Sequence, residues 1–244
     1  MNRTLAYAIP NLFTAGSLIA ALFALHQAAH NVFLHAGYLI TLSIILDGFD
    51  GKMARMLNST SRMGAQADSL ADFVAFGVVP GFLAWQYSLH NFGFLGFFFF
   101  VLYVLCGGFR LARFNVMSEK NAKKEEFVGL PIPAAAGVVA SFILFKELAI
   151  PDVDLKMLLL FIVPLMSYLM VSKTPYVAMN KVKIRKKYYG FIGAFIAGFL
   201  YLAIKYFPWV YLISAWIYVF YGLFNQGKLI KVRSHPKPKQ VNKT

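Results

Sequence analysis

The chain has 244 residues, of which 59% are hydrophobic and 14% are charged. Soluble domains are about 25% charged and ~45–50% apolar, so this composition excludes a soluble globular domain. The same hydrophobicity excludes a disordered chain. The apolar runs are long and continuous instead of alternating over about 10 residues, which favours helices over a membrane β-barrel. The predicted fold class is therefore all-α: a polytopic bundle of membrane helices.

The apolar stretches predict about eight transmembrane helices, because a helix needs roughly 20 residues to cross a bilayer. The fifth and sixth stretches are close together, and Pro208 suits the first turn of the eighth. The stretches are Leu5–Ala28, Val32–Arg55, Gly64–Ser88, Phe92–Arg113, Ile132–Ile150, Leu155–Val171, Tyr189–Tyr206 and Trp209–Phe224.

The basic residues behind the net charge of +14 are distributed unevenly between the loops that join these stretches. Only Lys146, Lys156 and Lys205 fall on one set of loops, whereas the other Lys and Arg residues lie nearer the other set and the two ends. The positive-inside rule therefore predicts that both termini are cytoplasmic. Membrane lipids, and not a nucleic acid, are the expected partners of this charge. Residues 227–244, with two prolines and several lysines, read as a basic disordered tail.

Four of the ten acidic residues lie within 26 positions. Two are near the end of the second apolar stretch and two are near the start of the third, and a short connection joins these stretches. Asp47 and Asp50 share one helix face with Gly51, and Asp68 and Asp72 share one face of the next helix with Gly64. The short connection makes these helices antiparallel neighbours. Four carboxylates therefore face one cleft.

Four carboxylates cannot all remain ionised without added positive charge. Oxygen-only ligands without histidine favour Mg²⁺ or Mn²⁺ over zinc. Two such ions, about 3.5–4 Å apart, would suit an in-line phosphoryl displacement. Small residues on the same faces, with the planar fork of Arg55, leave room for a phosphate group. Ion pairing of these aspartates with Arg55, Arg62 and Lys52 is the purely structural alternative.

The spacing D-x₂-D-G-x₂-A-R-x₈-G-x₃-D-x₃-D, from Asp47 to Asp72, resembles the signature of the CDP-alcohol phosphatidyltransferase family, and every fixed position matches. The resemblance implies a six-helix core over about residues 5–171, which two C-terminal helices extend to a membrane domain over 1–226. It implies transfer of a phosphatidyl group from a CDP-linked lipid to a small alcohol, with release of CMP. It also implies a homodimer.

The resemblance also implies roles for individual residues. Asp72 would be the general base, and the CDP-lipid would enter from the cytoplasmic face of the cell membrane. Two divalent ions would be bound by Asp47, Asp50, Asp68 and Asp72, and the CDP part would be held by Gly51, Ala54, Arg55 and Gly64. Asn11 and Thr14 resemble a first-helix element beside the nucleotide, for which a helix N-cap at Asn11 is the alternative.

The acceptor alcohol is indicated by two later motifs. The run R-L-A-R-F-N, from Arg110 to Asn115, and the run G-L-P-I-P-A-A-A, from Gly129, are similar to the phosphatidylserine synthase branch of the family. The implied substrates are CDP-diacylglycerol and L-serine, and Arg110 or Arg113 would hold the serine carboxylate. Snorkelling anchors at the membrane surface are the alternative for both arginines.

Two other functions remain open at this point. Glycerol 3-phosphate or inositol phosphate could replace serine as the acceptor, although these acceptors should require a larger basic pocket. A divalent-cation transporter could also contain intramembrane aspartates. A transport pathway should, however, have polar groups near the middle of the membrane, whereas all four aspartates lie at one end of their helices.

Overall fold

The computed structural model describes residues 3–57, 62–120, 126–177 and 205–233. Its elements are eight α-helices, a π-helical turn, two 3₁₀ turns and two short strands in these ranges. The α-helices are α1 Arg3–Ala29, α2 Phe33–Met56, α3 Arg62–Asp72, α4 Val79–Tyr87, α5 Gly93–Lys120, α6 Ile132–Ala149, α7 Leu159–Val171 and α8 Phe207–Arg233. The π turn is Phe73–Val78, and the 3₁₀ turns are Leu89–Phe92 and Lys156–Leu158.

Six candidate membrane spans occur among the described residues, by length and apolar composition. They correspond to the first five predicted stretches and the last, with α3, the π turn and α4 forming one span. The predicted sixth stretch instead forms a shorter helix over Lys156–Val171, which is less than the roughly 20 residues that a bilayer crossing needs. The predicted stretch Tyr189–Tyr206 lies almost wholly outside the described residues. The described residues therefore contain six spans, and the total of eight stays a prediction.

Helices α1 and α2 form a tightly packed hairpin. The hydroxyls of Ser17 and Ser43 are buried, lie 2.8 Å apart, and each contacts the backbone carbonyl of the other helix's serine. This reciprocal pairing satisfies both polar side chains without water, as burial in an apolar bundle requires. It also sets the axial position of α2, and therefore of the aspartates at its C-terminal end.

The span that contains Asp68 and Asp72 is interrupted by the π turn directly after α3. The backbone N–H of Val79 donates to the carbonyl of Val74, a spacing of five residues in place of the four of an α-helix. Pro80 follows at the start of α4, where its missing N–H removes one regular helical bond. The sequence patterns did not predict this interruption.

Helix α6 lies at the centre of the bundle and is buried along most of its length. It packs against α2 on one side and α8 on another. Small residues permit these close contacts: a Cβ atom built on Gly137 would lie 3.6 Å from the hydroxyl of Tyr211 on α8 and 3.7 Å from Ile44 on α2. The hydroxyl of Thr41 on α2 in turn lies 3.3 Å from that of Tyr211.

One pair of short strands departs from the all-α prediction. Strand β1, Glu126–Val128, pairs in antiparallel register with β2, Pro175–Val177, so that Phe127 lies opposite Tyr176. The pairing continues into Gly129, whose backbone N–H donates to the carbonyl of Thr174 at 2.7 Å. The strands form because the segments before α6 and after α7 run side by side as they leave the bundle.

Helix α8 also differs from its prediction. It continues to Arg233, so residues 227–233, predicted to begin a disordered tail, are helical. The first proline after this helix is Pro236, so no proline precedes Arg233 in the predicted tail. Lysine and arginine near a helix C-terminus also interact favourably with the helix dipole. Residues 234–244 lie outside the described part of the chain.

Candidate active site

The four aspartates approach one another at one end of the bundle. Three of them, Asp47, Asp50 and Asp68, present carboxylate oxygens that all lie within 4.8 Å of one another. The side chain of Asp72 lies within hydrogen-bonding reach of Asp47. The predicted meeting of the two acidic helix faces is therefore present in the structure.

A partner from the first helix orients Asp50. The hydroxyl of Thr14 donates to the Asp50 carboxylate at 2.9 Å, and the backbone N–H of Gly51 provides a second hydrogen bond. Asp50 is 6% exposed. Because a buried carboxylate needs such donors, α1 contributes directly to the arrangement of the acidic cluster.

The arrangement fits a bound cation. Oxygen Oδ1 of Asp68 is buried and has no hydrogen-bond partner among the described residues. No Lys or Arg of the described side chains forms an ion pair with the four carboxylates. Carboxylates at this separation repel one another strongly, and an oxygen-coordinated divalent ion removes that repulsion. The donor set has the chemistry that Mg²⁺ or Mn²⁺ prefers.

Arg110 is the basic side chain that faces the cluster from α5. It is 7% exposed, and it interacts electrostatically with Asp72, Asp47 and Tyr218. The guanidinium carbon Cζ lies over the ring of Phe114, 5.3 Å from its centroid. A buried arginine beside the carboxylates, but without an ion pair to them, could receive an anionic group of a substrate.

Arg113 occupies a different position from Arg110. Its guanidinium donates to three backbone carbonyls at the C-terminal end of α7, those of Val171 at 2.8 Å, Met170 at 3.0 Å and Ser172 at 3.3 Å. These carbonyls have no partner within the helix, and a cation there also interacts favourably with the helix dipole. The structure therefore places the Arg113 guanidinium at the C-terminal end of α7.

The remaining predicted site residues are distributed as follows. Gly64 lies on α3 one turn before Asp68. Asn11 is exposed and lies well inside α1, so the alternative of a helix N-cap at Asn11 is wrong. Ala54 and Arg55 are in α2, but their side chains lie outside the described part of the structure.

Two interactions near the site had no signal in the sequence patterns. Ser69, between the two aspartates of α3, exchanges hydrogen bonds with Asn115 of α5 at 3.0 and 3.2 Å. Tyr218 of α8 lies close enough to Arg110 for the two side chains to interact electrostatically. Both pairs join helices that are far apart in the chain, and helical spacing describes only one helix at a time. The only sequence signal for the pair of Ser69 and Asn115 was the presence of Asn115 in the motif R-L-A-R-F-N.

A model of the CDP-alcohol phosphatidyltransferase family matches residues 7–171 of the chain. This range contains all four aspartates, Thr14 and Arg110. The chain belongs to the CDP-alcohol phosphatidyltransferase family. The six long apolar helices among its described residues fit an integral membrane protein, and its acidic cluster is suited to a divalent metal ion.

Several relatives of this chain share one name, CDP-diacylglycerol–serine O-phosphatidyltransferase. The protein of that name from Helicobacter pylori is 40% identical over 193 residues, which cover 78% of this chain and 81% of the relative. The Mycobacterium leprae protein is 31% identical over 94% of this chain and 78% of the relative. The Bacillus subtilis protein is 39% identical over 52% of this chain and 70% of the relative.

Proposed function

We propose that this phosphatidyltransferase moves the phosphatidyl group of CDP-diacylglycerol to the hydroxyl of L-serine, which yields phosphatidylserine and CMP. The convergence of the four aspartates with Arg110 at one end of the bundle carries this proposal. The names of relatives with up to 40% identity support serine as the acceptor. The cluster holds the reacting phosphate, and Arg110 holds the acceptor.

The reaction forms one bond and breaks one. The serine hydroxyl oxygen attacks the phosphate that carries the diacylglycerol, and the bond from that phosphorus to the oxygen of CMP breaks. Asp72 accepts the hydroxyl proton, as the family resemblance implies. Its place within hydrogen-bonding reach of Asp47 supports this role, because Asp72 is then held at the edge of the cluster and next to the reacting groups.

The cofactor is Mg²⁺ or Mn²⁺, in the form of two ions. Asp47, Asp50, Asp68 and Asp72 would hold them, and bound ions would neutralise the diphosphate and the carboxylates during transfer. Thr14 and Gly51 fix one of these ligands, Asp50, before any ion binds. The orphaned oxygen of Asp68 supports the assignment, since a ligand atom must have no competing donor.

The substrate contacts are assigned from the family resemblance together with the positions of Arg110 and Arg113. Arg110 binds the serine carboxylate, because its guanidinium is buried beside Asp72 and can form a bidentate pair. Arg113 holds α7 in place and does not contact serine. The CDP part lies along Gly51, Ala54, Arg55 and Gly64, with Asn11 and Thr14 of α1 on its other side.

The site opens to the cytoplasm, and both termini of the chain are cytoplasmic. The distribution of lysine and arginine between the loops supports this orientation. The family resemblance supports a homodimer. Size-exclusion chromatography with light scattering of the detergent-solubilised protein, corrected for bound detergent, tests that state, and a monomer would contradict it.

The activity is tested with the purified protein in lipid vesicles. CMP release is measured with CDP-diacylglycerol, Mn²⁺ or Mg²⁺, and one acceptor at a time: L-serine, glycerol 3-phosphate or inositol phosphate. We expect release with serine, its loss when a chelator is added, and its recovery with excess Mn²⁺. Release only with one of the phosphorylated acceptors would overturn serine but retain the reaction class, whereas no release with any acceptor would overturn both.

A further inference from the structure

The π turn lies between the catalytic aspartates and the rest of their span. Helix α3 ends at Asp72, and the π turn occupies Phe73–Val78. A π turn adds one residue to a helix, which rotates the side chains before it by about 100° relative to those after it. The direction in which Asp68 and Asp72 point therefore depends on this turn.

The turn has an identifiable cause in Pro80. In a regular α-helix the carbonyl of Phe76 would accept a hydrogen bond from the N–H of residue 80. Proline has no N–H. The hydroxyl of Tyr103 on α5 donates to this carbonyl instead, at 3.3 Å. Both Tyr103 and Phe76 are fully buried, so water cannot take over the contact.

The ring of Tyr103 is held against this span by close packing. A Cβ atom built on Gly81 would lie 3.2 Å from the Tyr103 ring. Four residues along α5, a Cβ atom on Gly107 would lie 3.6 Å from the backbone of Gly77 in the π turn. Helix α5 thus approaches the turn almost backbone to backbone, and the position of the Tyr103 hydroxyl is fixed.

We propose that Tyr103 is a positioning residue for the reaction. Its hydrogen bond to the Phe76 carbonyl stabilises the π turn, and the turn directs Asp68 and Asp72 toward Asp47. The residue acts through the backbone and touches no substrate. This proposal rests on the proposed transferase function, because turnover is the quantity that the alignment of the aspartates controls.

The variant Tyr103→Phe keeps the packed ring and removes only the hydroxyl. We expect kcat for CMP release to fall by about tenfold or more, because small displacements of catalytic groups are costly. KM for both substrates should stay within about twofold of wild type. The rise in Tm that Mn²⁺ produces in the absence of substrate should also shrink. A purely structural tyrosine would lower the metal-free Tm and leave kcat and the Mn²⁺-induced rise unchanged.

Tyr211→Phe is the matched control. It removes a hydroxyl contact of the same length, 3.3 Å to Thr41, from another helix pair. This variant should keep the kcat and the Mn²⁺ response of wild type. A loss of kcat in Tyr211→Phe equal to that in Tyr103→Phe would overturn the specific role of Tyr103.

Pro80→Ala provides an independent test, because it supplies the missing N–H and removes the cause of the turn. We expect a fall in kcat at unchanged KM, and little further loss when Tyr103→Phe is added. Wild-type kcat and Mn²⁺ response in Tyr103→Phe would overturn the proposal. If Tyr103→Phe does not fold, a wild-type kcat in Pro80→Ala overturns the proposal. Absence of CMP release by the wild-type protein would instead contradict the transferase function, and the Mn²⁺ response of Tm would still test the role of Tyr103.

Discussion

At the scale of single residues, the site is a group of aspartates with few hydrogen-bond donors around their carboxylates. Thr14 and Gly51 supply hydrogen bonds to Asp50, whereas oxygen Oδ1 of Asp68 has no partner among the described residues. This difference gives Asp50 and Asp68 unequal roles. Asp50 is already oriented by the protein, and Asp68 requires a ligand for its buried oxygen to be satisfied.

The proposed role of Asp72 as base predicts the effect of one substitution. Asp72→Asn should lower turnover of CDP-diacylglycerol and serine by about 10²–10⁴-fold, the usual contribution of a general base, because an amide cannot accept the hydroxyl proton. Binding of CDP-diacylglycerol, measured by protection against heat denaturation, should be largely retained. Asp152→Asn, at an exposed acid in a loop, is the control. Full turnover in Asp72→Asn would refute the assignment.

The different positions of the two arginines predict different phenotypes. Arg110→Ala should raise the KM for serine by at least about tenfold, because one charged hydrogen-bonding partner is worth about 1.5–3 kcal/mol. Arg113→Ala should leave that KM unchanged and lower Tm, since its bonds go to the end of α7. Steady-state kinetics with serine varied, together with a thermal denaturation curve, separates the two. If only Arg113→Ala raised the KM for serine, Arg113 would be the serine-binding residue and Arg110 would not.

At the scale of elements, the end of α7 is joined to two other segments. Arg113 of α5 bonds its carbonyls, and Leu130, at the entry to α6, donates to the carbonyl of Leu169 at 3.0 Å. The residue between them in space is Gly129, which has φ of +87°. The two motifs that resemble phosphatidylserine synthases thus meet at a single helix end.

Gly129 cannot be replaced without loss of stability. Its φ strains any L side chain, and a Cβ atom there would collide with the carbonyl of Met170 and with the Arg113 guanidinium. Gly129→Ala should lower the free energy of unfolding by about 2 kcal/mol or more. Gly93→Ala, at φ of +55° with nothing within 4 Å of the new Cβ atom, measures the strain alone. Equal losses in the two variants would show that the collision contributes nothing.

Spacing along the chain predicted the helices and the acidic faces because both depend on residues three or four positions apart. Asp47 with Asp50, and Asp68 with Asp72, are such pairs. The contacts that complete the site join distant helices: Thr14 with Asp50, Arg113 with α7, and Tyr103 with the π turn. Pro80 was visible, but its effect depends on a tyrosine 23 positions later, so the turn could not be predicted from local pattern.

At the scale of the whole molecule, every described group of the site lies at one end of the bundle. The C-terminal ends of α2, α5 and α7 meet there with α3. Apolar side chains are exposed along the helices, among them Phe23, Phe94 and Phe161. In a membrane these side chains face lipid tails, and the acidic end lies at the level of the headgroups.

The orientation in the membrane is tested by labelling. Replacing Cys106, the one cysteine of the chain, by serine gives a cysteine-free background. In intact cells a membrane-impermeant maleimide should label Asn31→Cys and Asp152→Cys, and it should label Ser59→Cys only after permeabilisation. The reverse pattern would place the active site on the outer face. Activity of the cysteine-free protein is the control for its fold.

The central position of α6 has a consequence for how the protein is made. Helix α2 contacts α6, where a Cβ atom on Gly37 would lie 2.8 Å from Leu144, and it also meets Tyr211 of α8. The ribosome releases all four aspartates within the first third of the chain. Helices α6 and α8, which pack against α2, are synthesised much later. The site is therefore completed only near the end of synthesis. In a nascent chain halted before α8, the four aspartates are already present, but α2 lacks its contact with α8.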